Sequence, residues 1–241
     1  MSAQKTATAS SGALPSKVGI TVFPGFEPLD AFGPLEALYM LSSNFKLDLY
    51  VIASTLDPVY TGTNDPQLNK AGSRFGVNIV PTHTYETVPD DLEVLLVPGG
   101  AGAAAPTIAP TVEFIRRAYP KLRYLITVCN GAAVAAAAGV LDGKRATTNK
   151  LYWKMITASS PNVNWVRTAR YVVDGNCWTS GGVSAGIDVT LGWISKLYGE
   201  DRARTVANIM EYEWRHDPNW DTFAYVHRDD VDVFGGGVAF D

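Results

Sequence analysis

Cys129 stands in the run Tyr124-Leu-Ile-Thr-Val-Cys129-Asn-Gly-Ala-Ala, where a β-rich segment meets a stretch of small side chains compatible with a helix. A thiol at such a turn projects from the edge of a sheet, over a helix N-terminus whose free N–H groups and partial positive charge favour thiolate. The chemistry on offer is nucleophilic attack. A lone free cysteine is more often a small buried hydrophobe, but the Val-Cys-Asn-Gly context after a β-rich run favours the reactive reading. It also predicts a strained backbone at Cys129, because the chain must reverse within about one residue to aim the sulfur outward. Cys177, inside an apparent strand beside Trp178, reads as core.

Two further groups have the right chemistry to work with a thiol. Asp30 lies in Phe23-Pro-Gly-Phe-Glu-Pro-Leu-Asp30-Ala-Phe-Gly33-Pro34 at the start of a helical stretch. There it either caps a helix beginning near Ala31 or moves a proton. Gly99 and Gly100, after Pro98, permit a tight turn and let backbone N–H groups approach a developing negative charge. The histidines are His83, His216 and His227, none of them in a motif, so a Cys–His pair would need a distant histidine to fold back.

The elements that must position these residues follow from apolar runs and breakers. Strands are expected over 18–23, 47–53, 75–80, 94–97, 123–128, 145–148, 163–166, 171–173 and 176–179. Helices are expected over 29–41, 106–119, 130–138, 149–158, 184–197 and 201–214. The polar stretch 57–73 reads as loop or hairpin, and Asp174-Gly175 as a hairpin turn. Strands alternating with helices argue for an α/β fold, a mostly parallel sheet covered on both faces. Ligands in such sheets bind at the carboxyl ends of the strands, so the turns after Phe23, Val97 and Val128 should lie together. Residues 17–216 are expected to form one domain, between a flexible tail over 1–16 and an irregular extension over 217–241.

The 241 residues, 18% of them charged with a formal net charge of -4, offer no basic footprint for nucleic acid. The longest apolar stretch, about Ala132 to Leu141, is half of the roughly 20 residues a spanning helix needs, so no membrane segment is expected. Two cysteines are too few for a disulfide framework and lack zinc-site spacing, which points to a reducing, cytoplasmic compartment and no metal. Small, neutral or weakly polar ligands are the expected partners.

Four motifs occur in order: Pro98-Gly99-Gly100; Val128-Cys129-Asn130-Gly131-Ala132; Leu141-Asp-Gly-Lys-Arg-Ala-Thr-Thr148; and Gly181-Gly182-Val-Ser-Ala-Gly-Ile-Asp188. Together they resemble the DJ-1/PfpI superfamily from about Val18 to about Trp214, and the Asp30 segment is similar to the early aspartate motif of its isocyanide hydratase branch. The resemblance implies a three-layer, flavodoxin-like sandwich of the class I glutamine amidotransferase type, a homodimer, and no cofactor. It makes Cys129 the nucleophile and Asp30 its catalytic carboxylate, with Gly99, Gly100, Asn130, Gly131, Thr148 and Asn149 around the substrate. In better-known members a glutamate on the early helix partners the cysteine; Glu36 is a candidate for that role but lies about one and a half turns beyond Asp30.

The sequence departs from its relatives at two places. Many relatives carry histidine directly after the cysteine, where this chain has Asn130, and the hydratase branch carries histidine after Thr-Thr, where it has Asn149. These departures argue against a peptidase and leave the exact substrate open; the activity that the resemblance implies is isocyanide hydration, with an acidic thiol attacking and a protonated Asp30 as acid. The alternatives are a lyase, hydratase or cyclase using the same cysteine, or a non-catalytic redox sensor. A regulator is set aside because the chain ends before a helix-turn-helix module could fit and its net charge is negative.

Overall fold

A computed structural model describes residues 13–63 and 65–227. Residues 1–12 of the tail expected over 1–16, and residues 228–241 of the extension expected over 217–241, lie outside the described residues. Pro15 and Ser16 do pack: Tyr198 donates to the Pro15 carbonyl and the Ser16 N–H to Glu93 Oε2.

In chain order the elements are β1 (Lys17–Thr21), α1 (Pro28–Ser42), β2 (Asp48–Ala53), β3 (Val59–Tyr60), β4 (Asn78–Ile79), β5 (His83–Thr84) and β6 (Val94–Val97). Then come α2 (Ala109–Ala118), β7 (Tyr124–Thr127), α3 (Gly131–Ala137), β8 (Arg145–Ala146), α4 (Trp153–Ser159) and β9 (Asn164–Trp165). The chain closes with β10 (Tyr171–Asp174), β11 (Cys177–Ser180), α5 (Ala185–Tyr198), α6 (Glu200–Ile209) and α7 (Phe223–Val226).

The main sheet has the order β10-β11-β7-β6-β1-β2-β5, and all neighbours run parallel except the β10–β11 hairpin at one edge. Helices cover both faces, which is why β6 is a continuous apolar run with all four residues buried. Alternation divides its side chains: Val94 and Leu96 pack with α1, α5 and α6 through Leu38, Val189 and Val206, while Leu95 and Val97 pack with α2 and α3 through Ile115 and Ala135. The result is the three-layer α/β sandwich.

Several boundaries differ from the sequence reading, each for a local reason. Between 75 and 80 only Asn78–Ile79 pairs, against the two-residue β3, and Phe75 is left 97% exposed. The helix expected from 149 starts at Trp153, because Asn149 uses its Oδ1 to hold the Tyr152 N–H and so closes a turn of its own. The helix expected to reach Trp214 ends at Ile209, where Glu211 turns the chain at φ 49°. The stretch after Asp217 contains a fully buried Asp221 and the short α7.

Candidate active site

The carboxyl ends of β1, β6, β7 and β11 bring their turns together, and hydrogen bonds between those turns define the site. Asp30, in the first turn of α1, does not cap its helix; the N-cap position belongs to Glu27, and Asp30 Oδ2 accepts the Gly99 N–H at 2.8 Å. Asn130 faces the same loop, its Oδ1 accepting the Gly100 N–H at 2.7 Å and its Nδ2 donating to the Gly100 carbonyl at 3.0 Å. A Cβ on Gly99 would lie 2.0 Å from Asn130 Oδ1 and 3.0 Å from Asp30 Oδ2, so glycine there is the condition for both contacts. The N–H groups of Gly99 and Gly100, expected to face a charged adduct, are thus already occupied. Gly131 serves packing as well: a Cβ there would meet the Val97 carbonyl oxygen at 2.3 Å.

Cys129 has φ 58°, the left-handed conformation that side chains rarely adopt. The strain is held by bonds from two directions: its N–H donates to the Gly181 carbonyl at 2.9 Å, and its carbonyl accepts Thr148 Oγ1 at 3.0 Å. The Asn149 amide donates to Sγ at 3.1 Å, and the backbone N–H groups of Asn130 and Val183 also face the sulfur. The residue is 5% exposed and lines a cavity of about 360 Å³ with Glu27, Asn130, Asn149, Tyr152 and Met155.

The electrostatics reverse one expectation. Burial, and next the negative charge of Asp30, push the Cys129 thiol up to about 12, against the pull of the Val183, Asn130 and Asn149 donors. The short helix α3 does not outweigh desolvation, so the resting sulfur is a thiol. Burial likewise raises Asp30 to about 7; the Gly99 N–H opposes this, Glu27 adds to it, and the thiol lowers it slightly. The Cys129 thiol lies within hydrogen-bonding reach of the Asp30 carboxyl, whose Oδ1 is buried with no other hydrogen-bond partner. A carboxyl half ionised at neutral pH beside a thiol is arranged to take its proton, the reverse of a protonated Asp30 beside a thiolate.

Sequence reasoning missed Glu27, Tyr152, Met155 and Val183 as lining residues. Glu27 stood in the quoted Asp30 segment, and its half-burial, which raises its carboxyl, could not be seen there. Val183, at φ 33°, follows Gly181-Gly182, and that glycine pair was the available signal. Glu36 is exposed and outside the cavity. Among the described residues no group of three or more His, Cys, Asp or Glu is placed to hold a metal, and no helix is long and apolar enough to cross a membrane.

A parallel α/β sandwich with a cysteine in a left-handed turn after a strand, and a carboxylate from the first helix beside it, defines a class of protein. The chain belongs to the DJ-1/PfpI family, whose sequence pattern matches residues 16–196. It is 35% identical over 199 residues to the isonitrile hydratase of Pseudomonas putida, covering 81% of this chain and 78% of that protein. The deglycase PfpI of Pyrococcus furiosus is 30% identical over 110 residues, 44% of this chain and 63% of that protein. The HTH-type transcriptional regulator GbdR of Pseudomonas aeruginosa matches at 24% over 83% of this chain, which corresponds to 51% of the regulator. A THiJ/PfpI family crystal structure from Pseudomonas syringae superimposes with a TM-score of 0.69 at 29% identity, covering 88% of this chain and 84% of that one.

Proposed function

We propose that this protein is a cofactor-independent hydratase that converts an isocyanide to an N-substituted formamide through a Cys129 thioimidate. The observation that carries the reading is the Cys129 turn itself: a sulfur at φ 58° on the wall of a cavity of about 360 Å³, with the Asn149 amide donating to it and the buried Asp30 carboxyl beside it. The 35% identity to an isonitrile hydratase supports the substrate class.

Asp30 takes the thiol proton as sulfur bonds to the terminal carbon of R–N≡C, and returns it to that carbon, giving R–N=CH–S–Cys129. Asp30 next takes a proton from a water as that water adds to the same carbon and passes it to the nitrogen, giving R–NH–CH(OH)–S–Cys129. Collapse of this adduct breaks the C–S bond, releases R–NH–CHO and restores the thiol, so the sum is one isocyanide plus one water. The Asn149 amide and the Asn130 and Val183 N–H groups stabilise negative charge on sulfur as it departs. Thr148 and the Asn130–Gly100 bonds hold the turn rather than the substrate.

Asn149 in place of histidine favours a second reading, another hydratase, lyase or cyclase reaction on the same thiol, because an amide cannot relay a proton and Asp30 alone must do so. A redox-sensor reading uses the same Cys129 thiol, and slow peroxide oxidation without turnover of any isocyanide or dicarbonyl would favour it. Incubating purified protein with alkyl and aryl isocyanides should yield formamides. Turnover of dicarbonyls with no turnover of any isocyanide would instead place it with the deglycases.

A homodimer also belongs to this proposal. Leu29, Phe32 and Tyr39 of α1 are 42%, 44% and 69% exposed, an apolar surface suited to a second copy. Sedimentation at micromolar concentration should give twice the chain mass, and a monomer would overturn it.

A further inference from the structure

The segment carrying Asn149 is fixed from behind by charges buried away from the cavity. Lys150 has a side chain 1% exposed, and its Nζ donates to Thr147 Oγ1 at 2.9 Å, to the Thr148 carbonyl at 3.1 Å and to the Ala169 carbonyl at 2.9 Å. Its counter-ion is Asp221, 3.4 Å away and fully buried, which lies beyond the stretch that matches the family pattern. Asp221 also faces Arg170 at 3.7 Å, and Arg170 binds Asp188 at 2.8 Å and Ser184 Oγ at 3.0 Å. Two cations and two carboxylates thus neutralise one another in the interior.

Asp221 is delivered by a strap. The Pro218 carbonyl accepts the Arg170 N–H at 2.7 Å, and the Asp221 N–H donates to the Thr168 carbonyl at 2.8 Å. The ion pair reaches the cysteine turn through the two segments that hold it. Through Lys150 it holds the Thr147–Lys150 segment, from which Thr148 binds the Cys129 carbonyl and Asn149 the sulfur. On the other side it abuts Gly181, where a Cβ would lie 2.9 Å from Asp221 Oδ2 and 3.3 Å from Lys150 Nζ, and Gly181 is the residue whose carbonyl holds the Cys129 N–H.

We propose that Asp221 and Lys150 are positioning residues for Cys129: the C-terminal strap, acting through their buried ion pair, sets the Asn149 amide on the sulfur and braces the left-handed cysteine turn. This rests on the reading of Cys129 as the reacting group, but it does not depend on the substrate. A buried ion pair is a weak source of net stability and leaves a costly unpaired charge when one partner is lost, so a charge pair placed against the site has a geometric use beyond stability.

The test is the rate at which iodoacetamide alkylates Cys129 in the full chain, followed by mass spectrometry of intact protein and peptides, with labelling of the buried Cys177 reporting any loss of fold. Asp221→Asn should slow alkylation about tenfold while Cys177 stays unlabelled. In an Asn149→Ala background the same change should slow it by clearly less than tenfold, because the part of the effect that runs through the Asn149 amide is already gone. A folded Asp221→Asn protein that alkylates at the wild-type rate overturns the proposal, as does an undiminished tenfold effect in the Asn149→Ala background. Lys150→Met, which removes the other charge at similar length, is read in the same way. If both single variants unfold, the double variant Lys150→Met/Asp221→Leu decides: slowed alkylation in a folded protein supports positioning, and a wild-type rate assigns the pair a structural role only. Because the reagent is not an isocyanide, a failure here is distinct from a failure of the proposed substrate.

Discussion

The two cysteines are both buried, Cys177 within β11 and Cys129 just past the neighbouring β7, yet their surroundings differ. Cys177 sits within β11, 1% exposed in the apolar layer with Leu125 and Ala135, and pairs in register with Leu125. Cys129 is four residues beyond Leu125 along the neighbouring strand direction, about 13 Å at a strand's rise per residue, where the chain has left the ladder and turned left-handed. Burial raises both thiols. What separates them is the surroundings: Cys177 meets Tyr119 and strand neighbours, whereas Cys129 meets a cavity, an amide donor and a carboxyl with a free oxygen. On the proposed function, it is backbone conformation and partners, rather than burial, that set Cys129 apart from Cys177.

The largest effect that tests this contrast is removal of each sulfur in turn. Cys129→Ala should abolish formamide production, with folding retained, while Cys177→Ala should keep kcat/KM within about twofold of wild type. Equal losses in the two variants would break the comparison.

Next is Asp30, which distinguishes the two cysteines chemically. Asp30→Asn should lower kcat by about a hundredfold, the usual scale for losing a positioned acid or base. If the ionised carboxylate accepts the thiol proton as proposed, kcat/KM should rise with pH through a midpoint near 7 and be lost below it. A flat profile between pH 5.5 and about 8.5 would assign the proton path elsewhere. Stability should run the other way. The folded carboxyl, near 7, lies above its ordinary 3.8, so the folded state holds the proton more tightly and stability falls as pH rises between those values. Removing that penalty at pH 8 is worth on the order of 4 kcal/mol, so Asp30→Asn should melt higher than wild type there.

A smaller effect is expected at Asn149. Its amide is the side-chain donor to the sulfur, so Asn149→Ala should cost about tenfold in kcat with less change in KM, the pattern of an interaction made most strongly in the transition state. A change confined to KM would make Asn149 a substrate contact only.

Much of this was legible in the sequence. The strand runs at 94–97 and 123–128, the second observed as Tyr124–Thr127, the small residues after Cys129 and the order of the glycine motifs specify a parallel sheet with a thiol at its edge, because they are local patterns with a local cause. The pairing of Asp30 with Gly99 and of Asn130 with Gly100 joins residues 69 and 30 apart, which no local pattern encodes. The sequence also suggested an acidic thiol, since a helix N-terminus is visible in a string of residues and desolvation is not. Lys150 and Asp221 were overlooked for a related reason: charged residues in polar stretches read as solvated, and their burial arises only when the C-terminal strap folds back.

The smallest effect should be the stability cost of Cys177→Ala, and it sharpens the contrast most. The substitution removes one sulfur from a packed apolar layer and leaves a small cavity, which costs about 1–2 kcal/mol. No polar group is stranded, because the Tyr119 hydroxyl that faces the Cys177 sulfur at 3.2 Å keeps the Asn176 Oδ1 acceptor at 2.8 Å. The melting temperature should therefore fall by a few degrees, on the scale of about 2–4 °C per kcal/mol for a domain of this size. At the far end of the same strand, Thr179 Oγ1 receives the Thr147 N–H and the Gly181 carbonyl receives the Cys129 N–H, and neither contact depends on the Cys177 side chain. Thermal unfolding and turnover measured on the same preparation should show lower stability with unchanged kcat. A loss of turnover exceeding what the drop in folded protein explains would mean that β11 transmits its packing to the cysteine turn.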